Sequence, residues 1–179
     1  MKMDTQHLFL LIINIIGGIL VIGSYIWGIK SGGGSASSLW GGVPENIRWL
    51  YAVSMLLSAV GYFLFTLFIL FKVDSSIKIW NFSGFNLFYL SYLLILIPSS
   101  FWMPLTTAYV GGHSAIIWIA IRVVLFLVAA GSFLLLLSLL NLNPKPSGLF
   151  YTSAIAGITV FFLHTFVLDA ILWPSFFNK

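Results

Sequence analysis

From Leu8 to Ile29 the chain carries no charged residue, and the same holds from Trp49 to Phe71 and from Phe85 to Met103. Two further apolar stretches, Ser114 to about Leu140 and Leu149 to about Trp173, hold Arg122, His164 and Asp169. Crossing bilayer hydrocarbon as a helix takes about 20 apolar residues, and no water is present there to satisfy a backbone that is not helical. Five such stretches predict an all-α fold, a bundle of five transmembrane helices joined by short loops, with residues 1–179 as a single transmembrane domain. The third stretch is broken near its end by Pro98 and Pro104, and the fourth is long enough to require tilt. The first exceeds the apolar core of a signal peptide and reads as a span.

Composition agrees with lipid as the main solvent. Only 7% of the 179 residues are charged and 60% are hydrophobic, whereas a water-soluble domain carries about 25% charged residues. The pI near 9.5 does not point to nucleic acid, because the Lys and Arg residues are scattered singly and no basic cluster forms. There is no cysteine, which excludes disulfides, thiolate metal sites and iron–sulfur clusters.

With the N-terminus on side A of the membrane, Lys2, Lys72, Lys78 and Lys145 lie on side A, and Lys30, Arg48 and Lys179 on side B. The excess on side A places the N-terminus in the cytoplasm and the C-terminus on the opposite side. Asn81-Phe82-Ser83 is a glycosylation sequon on side A, and its use would invert this orientation. The loop "KSGGGSASSLWGGVPENIR" is expected to be flexible in its glycine-rich first half. Its second half, with Trp40 and Pro44, is expected to fold back on the bundle.

Ionisable groups in hydrocarbon are expensive and normally face the bundle interior with a partner. At the helical rise per residue, Arg122 lies roughly 12 Å from side B, Asp169 about 7 Å and His164 about 15 Å. On an α-helix His164 and Asp169 are about 140° apart and cannot both face one arginine. Asp169 shares its face with Thr165 and carries the opposite charge. The expectation is therefore an Arg122–Asp169 pair with Thr165 as a second hydrogen-bond partner. A cation–π contact with Trp118, one turn away, and snorkelling to side B are the competing readings for Arg122.

Side B also receives Tyr51 and Ser54, the "PSSFWMPLTTAYVGGHS" segment with Trp102 and His113, and the Trp40–Pro44 half of the first loop. Irregular backbone around Pro98 and Pro104 is tolerated at membrane depth where it lines a cavity. A pocket open toward side B and roofed by the loop follows as the expectation. Its candidate ligand-binding residues are Arg122, Asp169, His164, Thr165, Trp118, Trp102, His113, Tyr51 and Trp40. Ser54, Ser58 and Gly61 form a small-residue stripe that lets a second helix approach, and Ser153 with Gly157 does the same on the fifth span.

Other chemistries find little support. Bis-histidine haem needs two imidazoles at one depth, and His113 and His164 differ in depth. A metal site has too few close ligands, and "SGGGS" lacks the lysine and strand-to-helix context of a phosphate loop. A Ser-His-Asp hydrolase assembled from the side-B serines, His164 and Asp169 founders on the 140° separation. A proton relay through Asp169 and His164 lacks a second acid. No cofactor is named by the sequence.

The second span is preceded by "LWGGVP" and the fifth contains "HTFVLDAILW". Five spans, a long first loop and a C-terminus on that loop's side give a layout that resembles the tryptophan-rich TspO/translocator family. Members of that family bind tetrapyrroles and sterol-like ligands under the loop. This sequence has no double proline before the second span and no asparagine–tryptophan motif in the third, so no site residue is carried over. The resemblance implies only that such a bundle holds an apolar ligand.

Three function classes follow. The first is binding or transport of a small amphipathic or apolar ligand at side B, with Arg122 as anchor. The second is a non-catalytic subunit associating with other membrane subunits or with copies of itself. The third is an intramembrane lipid-modifying enzyme, for which the sequence shows no convincing catalytic set. The bilayer itself is the expected environment, and nucleic acid is not an expected partner.

Overall fold

A computed structural model describes residues 4–31, 40–80 and 82–177. The glycine-rich half of the first loop, Asn81 of the sequon, Lys2 and Lys179 lie outside them. Five helices span the bundle: α1 (Thr5–Lys30), α2 (Glu45–Lys72), α3 (Gly84–Gly112), α4 (Ala115–Leu140) and α5 (Leu149–Leu163), which continues as a π-helical segment. The expected all-α five-span bundle is present, and the protein is a multi-pass membrane protein.

The outside of the bundle shows what its solvent is. Large apolar side chains are exposed along every helix, Ile19, Leu56, Ile97, Ile119 and Leu163 among them. In water such a surface would aggregate; in lipid it is neutral. With hydrocarbon outside and inside, apolar burial does little to hold the helices together, so close packing and internal hydrogen bonds must. Gly61 and Gly157 bring α2 and α5 into backbone contact: a Cβ on Gly61 would meet the Gly157 carbonyl oxygen at 2.5 Å. Gly131 lets α4 rest on α3, where a Cβ would meet the Ser91 carbonyl oxygen at 2.9 Å. Gly17 and Gly28 admit the Leu96 and Met103 side chains of α3 against α1. Polar bonds cross between helices as well, from Tyr62 Oη to Asn14 Oδ1 at 2.6 Å and between Thr66 Oγ1 and Tyr92 Oη at 2.7 Å.

The prolines of α3 do not break it as expected; the helix continues through Pro98 and Pro104 to Gly112. Serine hydroxyls supply backbone partners around Pro98, Ser99 to the Ile95 carbonyl at 2.6 Å and Ser100 to the Ile97 carbonyl at 2.7 Å.

Each end of the bundle is closed differently. At side A, β1 (Lys78–Ile79), β2 (Phe82–Ser83) and β3 (Leu142–Asn143) form a small antiparallel sheet in the order β2-β1-β3. It ties the α2–α3 and α4–α5 connections together, with Ile79 opposite both Phe82 and Leu142. Asp4 caps α1, accepting from the Gln6 and His7 backbone N–H groups at 3.0 and 3.2 Å. Hydrogen bonds from Ser75 and His7 hold its carboxyl well below the usual carboxylate range. At side B the short helix α6 (Trp173–Phe176) meets the returning half of the first loop. The Gly42 N–H donates to the Phe176 carbonyl at 2.9 Å, and Val43 is buried. Gly41, at φ 55°, places its bare Cα against the Phe177 ring, where any side chain would collide.

A polar cluster at the side-B half of the bundle

Residues His164–Leu172 form a π-helix of nine residues. Its hydrogen bonds run from i to i+5, so residues five apart lie one above the other as residues four apart do in an α-helix. This wide turn overturns the 140° expectation. His164 Nε2 lies 3.5 Å from Asp169 Oδ2, close but longer than a hydrogen bond. On its other edge His164 Nδ1 is 2.9 Å from Ser54 Oγ on α2. Thr165 turns to α4 instead of Arg122, with 3.0 Å between its Oγ1 and Ser132 Oγ.

The Arg122–Asp169 pair does not form. Arg122 sits on the lipid-facing side of α4 and makes no ion pair among the described residues, whereas Asp169 meets His164. The contact with Trp118 is also absent. Among the described residues the cation–π contact is Arg48 over Trp40, at 5.8 Å. Arg122 is exposed on α4 rather than turned to Asp169. What remains for it is the snorkelling reading: an exposed arginine near the membrane edge can extend its guanidinium to the interface.

The other expected residues divide in the same way. Trp118 stacks on Phe177 at 5.7 Å and lies against Tyr109 at 5.0 Å, closing the interior near side B. Trp102 packs on Tyr25 of α1 at 5.6 Å and on Trp173 at 5.7 Å. Trp40 meets the edge of Tyr51 at 5.9 Å. His113 caps α3 in the left-handed region at φ 50°, exposed at the rim and away from the cluster.

The Asp169 side chain is about one-third exposed, at 34%. In the same half of the bundle Tyr51 Oη, Trp102 Nε1, Thr106 Oγ1 and Ser58 Oγ are buried without a hydrogen-bond partner. Each such group costs about 1–3 kcal/mol when left unpaired, and native interiors hold few of them. Thr106 stands out in the sequence only as one of the polar residues of the side-B segment, and Tyr25, in an otherwise apolar run, has no such mark.

Outside this cluster the buried polar residues include His7, Thr66, Ser91 and Ser138. His7, at side A, is 1% exposed, with Nδ1 2.7 Å from Asp4 and Nε2 2.9 Å from the Val73 carbonyl oxygen. All of its ring nitrogens are used, so its role there is to join α1 to the end of α2. No group of three or more potential metal ligands exists among the described residues. Compared with family models, curated proteins and solved structures, the chain matches none of them.

Proposed function

We propose that the protein binds a small amphipathic molecule beside Asp169, in the side-B half of the bundle. The observation that carries this reading is the set of buried, unpartnered polar atoms, Tyr51 Oη, Trp102 Nε1 and Thr106 Oγ1, in the half of the bundle that holds the partly exposed Asp169 carboxyl. Trp102 can only donate, Asp169 in its ionised form can only accept, and the two hydroxyls do either. A matching head group therefore carries an oxygen acceptor together with a hydroxyl or ammonium donor. Trp40, Tyr25, Trp102 and Trp173 offer aromatic wall to an apolar body. Sites of this build, mostly apolar with a few convergent polar groups, are the usual form of small-molecule pockets. Asp169, not Arg122, is the anchor in this account, and His164 orients it.

Native mass spectrometry of protein extracted gently from its own membrane tests the proposal. A reproducible small-molecule adduct on the chain, weakened in Trp102→Phe and Tyr51→Phe, is the expected result. A chain bare of small molecules and found only with other polypeptides would overturn it in favour of a subunit role.

A further inference from the structure

Ser54, His164 and Asp169 stand in line across the contact between α2 and the π-helix: Ser54 Oγ to His164 Nδ1 at 2.9 Å, then His164 Nε2 to Asp169 Oδ2 at 3.5 Å. We propose that this line is an acyl-transfer site, in which Ser54 attacks the carbonyl carbon of a carboxylic ester whose acyl chain lies in the bilayer.

Three observations besides the distances support it. The first is how Ser54 bonds. Several hydroxyls in these helices return to a carbonyl three or four residues back on their own helix, Ser91 to Leu87, Ser99 to Ile95, Ser132 to Ala129 and Thr159 to Ile155. Ser54 instead meets an imidazole on another helix, which leaves its proton shared with a base. The second is access. Ser54 and His164 line a groove of about 350 Å³ on the bundle surface, whose other walls are Val160, Leu163, Val167 and Leu168. The groove is open at the surface and its accessible wall is apolar, as an acyl chain requires, with the half-buried Ser54 and the buried His164 at its inner side. The third is a spare donor. Tyr51, three residues before Ser54 and so on the same face of α2, holds a buried hydroxyl with no partner, of the kind that stabilises a developing oxyanion.

The step balances within these groups. With the imidazole proton on Nε2, facing Asp169, Nδ1 is free to accept. It takes the Ser54 proton as Oγ bonds to the ester carbon, and the carbonyl oxygen becomes the tetrahedral oxyanion. His164 then gives that proton to the alcohol oxygen as its bond to carbon breaks, leaving acyl-Ser54. Water, activated by the same nitrogen, releases a carboxylic acid and restores Ser54. Ser54 and His164 are the catalytic residues, and Asp169 is a positioning residue that fixes the tautomer once the 3.5 Å gap to Nε2 closes to a hydrogen bond, the division of roles known from triads on unrelated folds.

The test uses the full chain in lipid nanodiscs, a long-chain alkyl fluorophosphonate as the serine-directed probe, and peptide mass mapping. The expected result is an adduct on Ser54, formed about a hundredfold more slowly in folded His164→Gln. Asp169→Asn should slow labelling and displace its pH profile, with Asp169→Glu restoring part of the rate. An unlabelled Ser54 in the folded native chain, or a rate indifferent to His164→Gln, would overturn the proposal. Should the histidine variant not fold, the native chain decides by itself. Labelling confined to Ser54, with Ser58 and Ser132 untouched, supports the site, and labelling spread over these serines overturns it.

Discussion

At the scale of single residues, what decides the side-B cluster is direction around a helix more than depth in the membrane. Arg122 and Asp169 lie within reach in depth, yet Arg122 is exposed on α4 while Asp169 faces inward beside His164. That Arg122, His164 and Asp169 lie within the apolar stretches was legible in the sequence, whereas charge complementarity named the wrong partner for Asp169. The azimuth of a residue past an irregular turn was not legible, because a 3.6-residue period was assumed where the backbone widens. Individual interhelical hydrogen bonds, by contrast, carry modest energies. The Tyr62–Asn14 bond at 2.6 Å is of a kind that averages about 0.6 kcal/mol in membrane proteins. Tyr62→Phe is accordingly expected to lower unfolding stability by about that amount in a steric-trapping assay, without changing the fold.

Among elements, the small-residue stripes do the work expected of them where the backbones touch. Gly61 and Gly157 were marked by spacing alone, and they are the point of closest approach of α2 and α5. Gly61→Ala is expected to destabilise by about 1–3 kcal/mol, because its Cβ would meet backbone that cannot rotate away. Gly18→Ala, whose Cβ would meet nothing within 4 Å, should leave stability within about 0.5 kcal/mol of the parent. Thermal unfolding of the two variants side by side makes the comparison. The prolines of α3 misled in the other direction, since the helix continues through both of them. The π-helix has no such mark: no glycine or proline lies in "HTFVLDAIL", and its apolar pattern suits an α-helix equally. Removing one residue from it returns the turn to α geometry while keeping His164 and the residues after it on their faces. Deletion of Val167 should therefore unfold at nearly the parent temperature, whereas deletion of Thr159 from the α-helical part should rotate everything beyond it by about 100° and unfold far lower.

For the whole molecule, five apolar runs were enough to read the fold. The membrane excludes the alternatives that make soluble folds ambiguous, and span length then leaves little freedom. The closure of the two ends was less legible. A three-stranded sheet of two-residue strands at side A is below any pattern a sequence displays. The meeting of Val43 and Phe177 at side B depends on segments far apart in the chain. The antiparallel course of the helices puts Lys78 and Glu45 at opposite ends. The chain has no cysteine, so Lys78→Cys and Glu45→Cys each report one site. An impermeant maleimide should label them from opposite faces of the same sealed vesicles, and labelling of both from one face would contradict the topology.

The account turns on Asp169 answering to His164 across the wide turn rather than to Arg122. The most direct measurement is a pair of double-mutant cycles on unfolding free energy, His164→Leu with Asp169→Leu and Arg122→Leu with Asp169→Leu. The account predicts a coupling of at least about 0.5 kcal/mol in the first cycle and additivity within about 0.3–0.5 kcal/mol in the second. Coupling between Arg122 and Asp169, with none between His164 and Asp169, would contradict it.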